Sequence, residues 1–272
     1  MSQPSRALAL GGLSSGVFVA LALLSLLWTP YDPTQISIIE RLQPIGAQHW
    51  LGTDQLGRDV LSMLMRGAAT SLGVAVAAVV LGAVPGIALG LFAAARRGWI
   101  DEIVMRGNDV VFAFPALLVA ILLTTAFGPG ALNAILAIGL FNIPVFARVT
   151  RAGALRLWPR EYVLAARVAG KDSLRISLEH ILPNLGGALM VQATTQFALA
   201  IVAESALAYL GLGTQAPLPS WGRMLADAQT LTALAPGLAI YPGLAVVLSV
   251  LGLNWLGNGL RDLLDPRLAR GV

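Results

Sequence analysis

Six apolar runs, near residues 7–28, 68–95, 103–126, 131–149, 187–210 and 237–257, match the ~20 residues that a helix needs to cross hydrocarbon. Inside a bilayer every backbone amide and carbonyl must find its partner within the protein, which restricts a spanning chain to helices or a closed barrel. Runs this long and continuously apolar predict an all-α membrane protein of six transmembrane helices, a single domain over 1–272. Composition agrees: 12% of the residues are charged, against roughly a quarter in soluble domains. The first run follows Arg6, as a secretory signal would, but it is longer than a signal core and no small-x-small cleavage site follows Trp28. It predicts a retained anchor.

The formal charge of +4 raises the question of nucleic acid, but the basic residues sit in short segments between apolar runs, where membrane orientation explains them. Arg148, Arg151, Arg156, Arg160, Arg167, Lys171 and Arg175 crowd one connection, and Arg96, Arg97 and Arg106 another. Only Arg41, Arg58, Arg66 and Arg223 fall on the opposite side. The positive-inside rule therefore places both termini, the 150–186 loop and a 258–272 tail in the cytoplasm, with 29–67 as an external segment.

Several chemistries are missing. There is no cysteine, and His49 and His180 are too far apart in sequence to suggest a metal site. No catalytic Ser/His, paired-Asp or metal-spaced constellation occurs in the spans. The phosphate cradle of a nucleotide-binding protein is also absent: Gly170-Lys171 lacks the upstream glycine and is followed by Asp172. An ion-gradient-driven transporter would carry more intramembrane acids and inverted repeats; only Asp109 and Glu204 qualify here.

Residues 161–183, EYVLAARVAGKDSLRISLEHILP, form a charged, glycine-broken interruption between spans. Residues 161–169 favour helix, and Ala165 and Ala166 permit close approach of another chain. Gly170 ends that helix, Asp172 or Ser173 caps the next, and the second helix is expected to stop at Pro183. Two short helices at an angle result.

The spacing of Ala165-Ala166, Gly170 and His180-Ile181-Leu182-Pro183 resembles the "EAA" coupling loop of ABC importer permeases. Tyr31-Asp32-Pro33, residues 49–59 (HWLGTDQLGRD), Glu204 to Gly213 (ESALAYLGLG), Pro219-Ser220-Trp221-Gly222 and residues 257–267 (GNGLRDLLDPR) resemble the C-type permease of the dipeptide, oligopeptide and nickel import family. Leu164 stands where the motif's glutamate falls, with Glu161 three residues earlier, and Asn258 stands where aspartate is common.

The resemblance implies a type I importer permease fold in a bacterial inner membrane and no enzymatic activity. It implies a homologous second permease, two cytosolic ATPases that hold ATP and Mg, a periplasmic or lipid-anchored substrate-binding protein and contact with membrane lipid; nucleic acid is not a partner. Peptides are the leading cargo, with nickel, metal chelates or glutathione as alternatives. Glu161, Ala165, Ala166, Gly170, Asp172, His180 and Pro183 are the expected ATPase-coupling residues. Glu204 and Asp109 are expected at a gate or at the partner permease, although Asp109 also suits a structural role near a helix N-terminus. Asp54, Arg58 and Trp221 are expected to dock the binding protein.

Glycine and proline complete the reading. Gly52 and Gly57 suit turns, and Asp54 and Arg58 would pair if their segment is helical. Residues 58–66 are expected to lie along the membrane interface. Pro85, Pro115, Pro144 and Pro242 predict static kinks, and Gly82, Gly86, Gly90 and Ala94 form a close-packing face on the second span.

Overall fold

The computed structural model of the protein describes residues 3–264. Its helices are α1 (Gln3–Leu27), α2 (Val60–Arg96), α3 (Gly98–Ala113), α4 (Ala116–Phe127), α5 (Ala131–Leu157), α6 (Glu161–Val168), α7 (Ser173–Ile176), α8 (Leu182–Tyr209), α9 (Trp221–Ala228) and α10 (Gly237–Leu264). The chain is all-α, and no strand occurs among the described residues.

Five helices are long and apolar enough to cross a membrane. The bent α3–α4 pair completes a sixth crossing. It starts beside the Arg96 end of α2, and the amide of Gly130 just beyond it donates to the Leu212 carbonyl (3.4 Å), past the far end of α8.

That third crossing was expected as one helix, but α3 and α4 meet at 78°. Phe114 precedes Pro115, whose ring disfavours helical geometry in the residue before it; Phe114 accordingly adopts φ −92°, ψ 123°. Pro85, Pro144 and Pro242 sit inside continuous helices instead. Pro85 and Pro144 flank a seam where α2 and α5 press together, so packing imposes helical geometry on both; Phe114 is half exposed and has no such clamp.

The seam is built on glycine. A Cβ at Gly82 would stand 2.2 Å from the Asn142 Cβ, one at Gly86 2.5 Å from the Ile143 carbonyl, and one at Gly90 2.5 Å from the Ala147 carbonyl. Matching steps along both chains make α2 and α5 parallel neighbours. The small-residue face read from the sequence thus packs within the subunit. Helices α1 and α10 close against each other antiparallel, Gly11 against Leu256 and Gly259 against Leu8.

Helix α2 has 37 residues, about 55 Å at 1.5 Å per residue, well beyond the hydrocarbon thickness. Its first two turns were expected to lie along the interface. They continue the span instead, with Val60, Met63 and Met65 buried and the first two facing Asp54 and Arg58 of residues 29–59 and Met224 of α9. Helix α5 likewise runs past residue 149 to Leu157, and α10 takes in residues 258–264 of the expected tail. Residues 265–272, including Asp265-Pro266-Arg267 of the tail motif, lie outside the described residues.

Candidate functional site

The segment expected to couple to an ATPase begins at α6, with Glu161 in its first turn, where a carboxylate suits the helix dipole. The helix buries Val163 and Ala166 and leaves Ala165 exposed, so only one of the paired alanines is free to receive another chain. It ends in a complete Schellman turn: the Lys171 amide donates to the Ala166 carbonyl (3.1 Å) and the Gly170 amide to the Arg167 carbonyl (3.0 Å). Gly170 has φ +84°, the left-handed conformation this turn requires. Asp172, rather than Ser173, caps the next helix by accepting from the Arg175 amide at 2.8 Å.

The second helix does not stop at Pro183. Residues Ser177–Ile181 widen into a π-turn, the Leu182 amide donating to the Ser177 carbonyl, and the helix passes unbroken into α8. Proline has no amide to donate and its ring crowds the preceding turn, and the added residue of a π-turn relieves that crowding. The Asn184 side chain donates to the His180 carbonyl at 2.6 Å, occupying an acceptor near the proline. The result is a 37-residue helix, Ser173–Tyr209, which makes the elbow continuous with a candidate span.

Ion pairs lock the elbow. Lys171 donates to Glu179 and lies 3.0 Å from His180 Nε2; Arg175 reaches Glu179 at 3.3 Å. Trp158, buried under α6, carries the Arg167 guanidinium 5.4 Å over its ring. Tyr162, Leu164, Val168 and Leu174 protrude, Val168 being 89% exposed. This apolar knob was not singled out from the sequence, although apolar residues on an otherwise charged short helix were its visible sign. Leu164, in the place of the motif's glutamate, belongs to it.

At the other end of the bundle, residues 29–59 fold onto α2 and α9. Gly57, with φ +76°, closes a turn in which its amide donates to the Asp54 carbonyl (3.1 Å); a Cβ there would collide with the Ser37 carbonyl. Asp54 and Arg58 do pair, at 2.6 Å, but across this turn rather than along a helix. Arg58 also reaches Asp227 of α9. Asp59 caps α2 through the Ser62 amide (2.8 Å) and binds His49 Nδ1 (2.9 Å). Within residues 29–59 the Thr34 hydroxyl and amide both donate to Asp32, holding its carboxyl below the ordinary range.

Asp54, Arg58 and Trp221 are therefore not a docking surface: their exposures are 5%, 8% and 1%. The Trp221 indole donates to the Leu64 carbonyl (3.1 Å) and its amide to Ser71 Oγ (3.2 Å), while Phe18 packs edge-on at 5.6 Å. These residues bind the loop, α9 and the bundle together. The exposed large apolar side chains of the loop include Ile36, Ile38, Ile39, Ile45 and Trp50.

Glu204 offers no surface to a partner permease or to a gate in this conformation, because α2, α8 and α9 enclose it completely. The hydroxyls of Ser71, Ser205 and Ser220 surround its carboxyl, yet neither oxygen meets hydrogen-bond geometry among the described residues. Ser71 and Ser220 each accept a backbone amide of α9, which leaves their O–H protons free to turn toward the carboxyl. Asp109 is half exposed and pairs with Arg148 of α5 at 2.7 Å. It lies in the fourth turn of α3 and not at the N-terminus; Asp101 takes that first-turn position and pairs with Arg151.

Residues 86–270 match the family described as "Binding-protein-dependent transport system inner membrane component". The chain is 40% identical over 251 residues to the dipeptide transport system permease protein DppC of Alkalihalophilus pseudofirmus, covering 92% of this chain and 83% of the relative. It is 40% identical over 261 residues to the glutathione transport system permease protein GsiD of Pectobacterium atrosepticum, covering 94% and 87%. It is 41% identical over 267 residues to the di/tripeptide transport system permease protein DppC of Pseudomonas aeruginosa, covering 96% and 88%. A bundle of helices long and apolar enough to cross a membrane, with a charged elbow at one end, is thus matched by transport-system permeases over more than nine-tenths of its length. The chain belongs to the binding-protein-dependent inner membrane permease family.

Proposed function

We propose that this chain is one half of the translocation path of a small-peptide importer, coupled through α6 and α7 to cytosolic ATPases. What carries the cargo reading is the similarity, over more than nine-tenths of the chain, to permeases named for dipeptides, di/tripeptides and glutathione. Their common chemistry is a short peptide, which favours peptides over nickel or its chelates.

In this reading both termini and the elbow face the cytoplasm, in keeping with the basic residues from Arg148 to Arg175, and residues 29–59 face outward. The apolar knob of Tyr162, Leu164 and Val168 seats in an ATPase. Rotation of that ATPase then moves α8 as one body, because the helix is continuous from Ser173 to Tyr209. ATP and Mg are held by the ATPases, and a periplasmic or lipid-anchored binding protein delivers cargo. The second permease is a non-identical homologue, since the external and tail motifs resemble a C-type subunit.

Uptake of labelled dipeptide and labelled glutathione, in cells with and without this chain, tests the cargo. Loss of dipeptide uptake alone favours the first relative's cargo; loss of glutathione uptake alone favours the second. Loss of nickel uptake with both peptides unaffected would refute the peptide reading. The mass of the solubilised complex tests the assembly, and two copies of this chain with no other permease would refute a heterodimer.

A further inference from the structure

The Arg96 end of α2 borders a cavity of about 320 Å³. Ala88, Leu91, Phe92 and Ala95 of α2 form one wall; Ser173, Leu174, Ser177 and Leu178 form the other. The lining is apolar along two turns of α2, about 12 Å from residue 88 to 96. Its polar lining is Ser173, Ser177 and Arg96, whose guanidinium stands 5.8 Å over the Phe92 ring. Among the described residues neither Arg96 nor Arg97 has an acidic partner within salt-bridge distance. A second cavity, lined by Arg97, Trp158 and Arg167, adjoins at Ala95 and adds to the unpaired positive charge.

We propose that this cavity binds one anionic phospholipid, its acyl chain along α2 and its phosphate at Arg96. An apolar slot alone would accept any tail or helix. The unpaired guanidinium selects an anion, and hydroxyls suit phosphate oxygens. The occupant must therefore be an amphiphile with a negative head, which a membrane supplies at the end of a spanning helix. With the orientation proposed above, the slot opens at the inner leaflet. Because its outer wall is α7 and the π-turn, the lipid bridges α2 to the coupling elbow. The binding itself does not depend on which cargo is carried.

The test uses the complete transporter, purified with its neighbouring subunits and exchanged into detergent containing equal phosphatidylglycerol and phosphatidylcholine of matched acyl chains. Native mass spectrometry counts the retained lipids. The wild type retains one phosphatidylglycerol in preference to phosphatidylcholine. Arg96→Gln lowers that preference about fivefold, the worth of one cation near an anionic lipid. Ala95→Phe fills the slot and removes the bound lipid; Ala88→Phe, at an exposed position, does the same should the first fail to assemble. Equal retention of both lipids by the wild type, or an unchanged preference in Arg96→Gln, would overturn the proposal. So would crosslinking of Leu174→Cys to the partner permease in a complex that retains no lipid.

Discussion

Arg58 and Asp227 stand 169 positions apart in the chain and 3.3 Å apart in the structure. Through this contact the segment before α2 holds the short helix after α8, and Arg58 simultaneously satisfies Asp54. Replacing Arg58 by Ala leaves Asp54 buried with only the Leu56 amide and that of residue 58 as donors. Losing one partner of a buried pair costs about 3 kcal/mol, the low end of the usual range. A lowered melting temperature of the solubilised protein and faster proteolysis within residues 29–59 are the expected results; wild-type values for both would refute the bracing role.

The α2–α5 seam makes a second prediction. Gly86→Val drives a side chain into the Ile143 carbonyl and Phe146, an overpacking worth about 1–3 kcal/mol. Gly73→Ala, at a position of the same helix with nothing within 4 Å, should leave stability unchanged or raise it by up to ~1 kcal/mol. Thermal unfolding in detergent separates the two. Equal melting temperatures would place the seam elsewhere.

Gly170 lies in open space, so its requirement is conformational. Gly170→Val forces a β-branched residue to φ +84°, at a cost of about 1–2 kcal/mol. Peptide uptake and substrate-stimulated ATPase should fall together while the protein still reaches the membrane, with Gly170→Asn less affected because asparagine tolerates this conformation. Normal coupling in Gly170→Val would show that the Schellman turn is dispensable.

Orientation is testable in this cysteine-free chain. Ser220 is fully buried as the cap of α9, so the reporter is Ala47, exposed on the opposite end from the elbow. Impermeant maleimide should label Ala47→Cys in intact spheroplasts and Ser173→Cys only after lysis. The reverse pattern would invert the topology.

The sequence by itself determined the helical class, the crossings and the elbow. Apolar runs of spanning length have few other solutions in a bilayer, and Gly170 with Asp172 three residues before Arg175 specifies a turn and a cap through local hydrogen bonds. Tertiary structure decided what local rules leave open. Pro115 breaks its helix whereas Pro85 and Pro144 do not, because packing against a neighbouring helix overrides a proline's local preference. Pro183 is absorbed by a π-turn, so the elbow continues into α8. Asp54, Arg58, Trp221 and Glu204 carry the residue types of surface or gate chemistry, yet contacts from Ser71, Leu64 and Asp227 bury them. Those partners lie far along the chain, and burial depends on which distant segments meet, a property that residue type and spacing do not encode.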